Sequence, residues 1–114
     1  MTLPLSALDF HVLVALADED LYGYALMKAV DEQSGGVVSP EIGSLYRVLA
    51  RLTAEGLVED APTPADAESP HPGRPRRYYR LTDRGRGVAR DETARLQRAV
   101  SVARAANLTP GREP

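Results

Sequence analysis

The chain has 114 residues and a mass of 12.3 kDa, enough for one domain, and its 26 Leu, Val, Ile and Phe residues suffice for a core. Cysteine is absent, which excludes disulfide frameworks, thiolate zinc sites, iron–sulfur clusters and cysteine nucleophiles. The net charge of −2 hides a division, because residues 1–73 carry three basic and twelve acidic side chains while residues 74–114 carry eleven basic and four acidic.

A positive half of that kind suits either an acidic polymer or the acidic half of a second copy. Sixteen of the apolar residues are alanines, which bury little area each, so burial against a partner chain would help the fold. The longest apolar run, Val12 to Ala17, is far too short to span a bilayer, and Met1 to Leu5 lacks a basic start and a signal-peptide core. A soluble cytoplasmic protein with no membrane association is expected. His11 and His71 do not form a metal-ligand spacing, and neither a metal nor another cofactor is expected.

Leu5, Leu8, Val12, Leu13 and Leu16 recur at three- and four-residue steps, which predicts an amphipathic helix over about 5–17, ended by Asp18-Glu19-Asp20. A second helix is predicted from about Tyr22 to Gln33, stopped by Gly35-Gly36. Val37-Val38 reads as an extended link, and Ser39-Pro40 as an N-cap followed by proline at the first helical position, opening a third helix that ends at Gly56. Residues 57–60 and 77–81 read as two strands of a hairpin, with Tyr79 and Leu81 facing inward and Tyr78 and Arg80 outward. The loop between them, 62–75, holds five of the nine prolines and excludes regular structure. Within it, Asp66 and Glu68 are expected to be repelled by phosphate and to stay disordered. Thr82 caps a last helix that runs through Asn107, with Val88, Glu92, Leu96, Ala99, Val100 and Ala103 on one stripe.

The expected fold is therefore mainly α with a small β-hairpin, a winged helix-turn-helix with a long C-terminal helix. The domain would span 1–82, with the wing loop at 62–75, a dimerisation helix at 83–107 and a flexible tail at 108–114. Three segments make the reading specific. They are Leu21-Tyr22-Gly23-Tyr24-Ala25-Leu26-Met27-Lys28, then Ser39-Pro40-Glu41-Ile42-Gly43-Ser44-Leu45-Tyr46-Arg47 running on to Leu52-Thr53-Ala54-Glu55-Gly56-Leu57-Val58, and Gly73-Arg74-Pro75-Arg76-Arg77-Tyr78-Tyr79-Arg80-Leu81-Thr82-Asp83-Arg84-Gly85. Over about residues 8 to 106 the chain resembles the PadR family of bacterial transcription regulators, and its length resembles the short subgroup with one C-terminal helix. It departs from the family in its long proline-rich wing loop and in having no aromatic residue after Tyr79.

The resemblance implies a homodimeric DNA-binding repressor, relieved by a small molecule or another signal, that binds a pseudo-palindromic duplex. At ~100° per residue, Ile42, Leu45, Leu49 and Leu52 face the core, so Gly43, Arg47, Ala50, Arg51 and Ala54 point away, flanked by Ser44 and Tyr46. Small residues let a helix approach the major-groove floor, and an arginine can pair with guanine O6 and N7. Arg47 is the base-reading candidate; Ser39, Gly43, Ser44, Tyr46 and Arg51 complete that face. Tyr46 could instead pack beside the first helix. Tyr24 and Lys28, on a helix that would cross the phosphate backbone, suit phosphate contacts, although Tyr24 could also be a core aromatic. Arg74, Arg76 and Arg77 form a basic wing for phosphates or the minor groove.

Leu5, Leu8, Val12, Val88, Leu96, Ala99, Val100 and Ala103 are expected at the dimer interface, and Leu8, Val12, Leu96 and Val100 would line an aliphatic effector pore there. His11 reads as an ordinary core-edge histidine. No catalytic constellation is present, and the chain is not read as an enzyme. The alternative is a winged-helix module that binds protein and not DNA.

Overall fold

In the computed structural model, residues 3–65 and 77–111 are described. Seven elements follow in order: α1 (Ala7–Ala15), β1 (Leu21–Tyr22), α2 (Gly23–Gln33), α3 (Ile42–Ala54), β2 (Val58–Ala61), β3 (Tyr78–Leu81) and α4 (Asp83–Ala105). The helix α1 begins after Ser6, whose hydroxyl accepts the Asp9 N–H at 3.0 Å, so Leu5 lies before the helix and not in it.

Two expectations are corrected at the turn between α2 and α3. Gly35 and Gly36 do take positive φ, +63° and +80°, but Ser39 and Pro40 precede α3, which is capped at Glu41 without a side-chain bond. The reason lies upstream: Ser34 Oγ accepts Val38 N–H at 2.9 Å and donates to Val38 O at 3.1 Å, which ties Val37-Val38 into a turned and bent link, not the extended one expected, ahead of the helix. At the other end, Gly56 at φ +78° and the Leu57 N–H to Leu52 O bond of 2.9 Å close α3 in a Schellman motif.

The sheet has three strands in the order β1-β3-β2, all antiparallel, where the sequence suggested two. Leu21 pairs with Tyr79 and Tyr22 with Tyr78, so β3 is the central strand. This corrects the placement of Tyr78, which is buried along with Tyr79 because the Tyr22 ring covers it with centroids 5.5 Å apart.

Val12, Leu13, Leu16, Leu26, Val30, Leu45, Leu49, Leu52, Leu57 and Val58 form the buried core with Tyr79. Each fully buried leucine contributes about 1.5–3 kcal/mol, so α1, α2 and α3 are held as one unit onto which the sheet packs. Val12 is thus a correction: its side chain is wholly enclosed in this core and offers no surface to a second chain or a ligand.

Thr82 caps α4 as expected, accepting Gly85 N–H at 2.9 Å and donating to Gly56 O at 2.6 Å. Only the first half of α4 lies against the body, with Val88 and Ala89 packed on the core and Glu92 buried. Glu92 accepts Leu5 N–H at 2.9 Å and pairs with Arg95, whose hydrogen bond holds its carboxyl below the usual range. Arg86 donates to Ala17 O at 2.9 Å, placing a cation at the C-terminal end of α1. The remainder of α4 projects, giving extents of 57 × 30 × 24 Å. No helix among the described residues is long and apolar enough to cross a membrane.

Candidate nucleic-acid interface

The outer face of α3 carries Gly43, Arg47, Ala50, Arg51 and Ala54, all exposed, with Ser44 half-buried beside them. Leu45, Leu49 and Leu52 hold the opposite face in the core, which fixes how this one is presented. Arg47 Nη2 donates to Ser44 Oγ at 3.1 Å, a neutral partner that leaves the guanidinium charge available. Gly43 and Ala50 keep the surface beside it low. Tyr46 packs over the start of α2, not beside α1: a Cβ at Gly23 would fall 2.3 Å from its hydroxyl oxygen. Its other edge stays exposed, as does Tyr24 at 59%, which removes the core-aromatic reading of Tyr24. Lys28 lies 3.9 Å from Glu32 one turn along α2, an exposed pair of small energetic weight. Ser39 is exposed at the entrance to α3.

Arg51 shares the exposed face but is tied to the scaffold. Its Nη2 donates to Asp9 Oδ1 at 2.6 Å and its Nη1 lies 3.9 Å from Glu55, and the bond to Asp9 raises its already high pKa. The Asp9 side chain is only 8% exposed, so Arg51 supplies the countercharge that lets a carboxylate sit in the apolar face of α1. Arg51→Ala should therefore destabilise the fold by about 1–2 kcal/mol, discounted for the half-exposed arginine, and affect DNA contacts secondarily. Chemical denaturation checks this, and an unchanged midpoint with lost DNA binding would return Arg51 to the reading face.

The wing supplies Arg77. It forms a two-pronged pair with Asp60, Nε to Oδ1 at 2.7 Å and Nη2 to Oδ2 at 3.2 Å, and its guanidinium lies 5.3 Å from the centre of the Tyr79 ring. Arg77 in turn holds the Asp60 carboxyl below the usual range, while burial pushes the Tyr79 phenol up. Arg80 pairs with Glu59 at 3.2 Å. Tyr46, Ala50 and Thr53 of α3 face Arg77 and Tyr79 across a concavity of about 480 Å³. Arg74, Arg76, Asp66 and Glu68 lie outside the described residues.

On α4, Leu96 and Ala103 are half-buried, and Ala99 and Val100 exposed. Leu96 and Val100 share a second concavity with Thr93, Gln97, Ser101 and Arg104, without Leu8 or Val12. Leu8 is half-buried against the core, Val88 is packed on it, and Leu5 is buried and bound to Glu92. Sequence reasoning missed Asp9 and Asp60. Asp9 was detectable as a carboxylate in the middle of an apolar stripe, whereas pairing Asp60 with Arg77 needs the strand register. His11 is half-buried, with its Nδ1 3.0 Å from Gln33 Nε2. Among the described residues no group of histidine and carboxylate side chains is placed to hold a metal ion.

Comparison with known proteins agrees with this architecture. A PadR family regulator from Clostridium difficile is 20% identical, with 88% of this chain and 97% of that one aligned at a TM-score of 0.70. A PadR-like regulator from Bacillus cereus is 26% identical over 93% and 94%, also at 0.70. Bacillus subtilis PadR, solved in complex with operator DNA, is 26% identical over 75% of this chain and 46% of its own, at 0.61. A 37.1 kDa protein of a Streptomyces fradiae transposon is 53% identical over 47 residues, and this chain spans only 13% of its length. The profile of the PadR-like transcriptional regulator family matches residues 12–91, well over half of the sequence, and the chain belongs to that family.

Proposed function

We propose that this regulator binds duplex DNA sequence-specifically as a homodimer, with α3 in the major groove, and represses transcription until a small molecule or another signal relieves it. Its place of action would be the cytoplasm. The observation that carries the reading is the outer face of α3, where one arginine with an uncommitted charge stands among small residues. That combination permits close approach and bidentate pairing with guanine. The operator complex of the Bacillus subtilis relative supports the same assignment here.

Residues 83–107 would form the dimer through α4, supported by the stretch from Leu96 to Ala103, whose ends are half-buried and whose middle is exposed. An effector site would use Leu8, Leu96 and Val100 at that seam, with the enclosed Val12 behind it. Two α3 helices related by a two-fold axis call for a pseudo-palindromic site with half-site centres about 34 Å apart. Selection from a random duplex library should return such a site, and an asymmetric single half-site would contradict the dimer. On the selected duplex, Arg47→Ala should cost about 1–3 kcal/mol, with less effect on mixed-sequence DNA. Equal losses on both would make Arg47 a phosphate contact. A chain that binds no duplex at any salt concentration would leave the protein-binding alternative.

A further inference from the structure

The wing arginine that faces α3 is not presented to DNA as a free cation. Strand alternation places Arg77, Tyr79 and Asp60 on one face of the β2–β3 pair, because Asp60 is the direct partner of Tyr79. That face borders the concavity shared with Tyr46, Ala50 and Thr53. A helix in the major groove and a wing beyond it leave one sugar–phosphate strand to pass between them, and this concavity is the gap between α3 and β3. Among the described residues, the acidic side chain paired with Arg77 there is Asp60, whose side chain is 60% exposed, against 63% for Arg77. An ion pair so exposed contributes little to the fold, yet it puts a carboxylate where a phosphate is to dock.

We propose that this concavity is the seat of one backbone phosphate and that Asp60 sets DNA affinity by competing with that phosphate for Arg77. The inference rests on the DNA-binding reading above and deepens it. Binding exchanges one anion for another on the same guanidinium, and the displaced Asp60 carboxylate is left near the DNA strand. Sequence-independent attraction is thereby held down in a chain whose net charge is already −2, so the contacts of α3 weigh more in the total.

The same two strands provide an internal control. Glu59 is the direct partner of Arg80 and pairs with it at 3.2 Å on the other face of the hairpin, away from the concavity. Asp60→Asn and Glu59→Gln remove the same unit of charge at adjacent positions, so a difference between them reports location and not bulk charge.

The experiment is a salt titration of the full chain binding to a short mixed-sequence duplex, followed by anisotropy, with thermal melting to confirm that each variant is folded. Asp60→Asn should tighten binding about three- to tenfold at low salt and steepen the dependence of log K on log salt by up to about 0.9. Glu59→Gln should give well under half of that gain, and in Asp60→Asn/Arg77→Ala the gain should vanish. The proposal is overturned if Asp60→Asn binds as the parent does, if Glu59→Gln gains as much, or if the gain survives without Arg77. Any of these leaves the DNA-binding reading standing, whereas a parent protein that binds no duplex sinks both.

Discussion

Gly85→Ala is expected to destabilise the protein by about 3 kcal/mol, lowering the melting temperature by more than about 10 °C. A Cβ at this position would lie 2.1 Å from the Leu57 carbonyl oxygen and 2.7 Å from Leu81 Cδ1. The carbonyl cannot retreat cheaply, because it accepts Thr82 N–H at 3.1 Å, and Thr82 both caps α4 and bonds Gly56 O. Relief of the clash would pull α4 away from the end of α3 and disturb the angle at which it leaves the body. Gly87 is the control: nothing lies within 4 Å of where a Cβ would stand, so Gly87→Ala should be neutral or slightly stabilising through helix propensity. Calorimetry on both variants decides the matter, and a Gly85→Ala protein that melts with the parent would show that α4 is not locked at this contact.

The need for glycine at 85 illustrates where sequence reasoning stops. A glycine in the first turn of a predicted helix reads only as a weak helix former, since the close approach of Leu57 is a tertiary fact. The helices α1 and α3 were legible because their apolar residues repeat at helical spacing, and α4, read from its Thr82 cap and its stripe of valines, alanines and Leu96, emerged within about two residues at each end. The strand β1 was not legible, because two residues carry no periodicity and Tyr22 also caps α2. Ser39-Pro40 misled for a local reason, as Ser34 ties Val38 into the bend that follows α2, and α3 starts only at Ile42.

The candidate site divides in the same way. Exposure of Gly43, Arg47 and Ala50 follows from helical phase alone. The partners of the arginines do not, for they depend on which carboxylate a distant element brings near: Asp9 from α1 for Arg51, and Asp60 from β2 for Arg77. Helical phase had assigned Arg51 to DNA, and the basic run had assigned Arg77. Their pairing in the folded chain separates one that serves the scaffold from one that borders the proposed phosphate seat.

The second large effect is expected at Leu96, if α4 makes the dimer as proposed. The last buried residue of α4 is Glu92, and beyond it Leu96, Ala99, Val100 and Ala103 leave an apolar strip with Val100 52% exposed. In a two-fold interface Leu96→Asp introduces two charges into one apolar seam, each costing several kcal/mol if unpaired, which exceeds what a small dimer can absorb. Light scattering should then report a monomer, and duplex affinity should fall steeply because each half-site is bound without its neighbour. Val102→Asp serves as the comparison, since Val102 is 65% exposed and lies about a third of a turn from Leu96 around the helix. It should remain dimeric and bind DNA as the parent does. A Leu96→Asp protein that stays dimeric would move the interface off this face of α4, and loss of the dimer in both variants would mean that the helix is wrapped by its partner on more than one side.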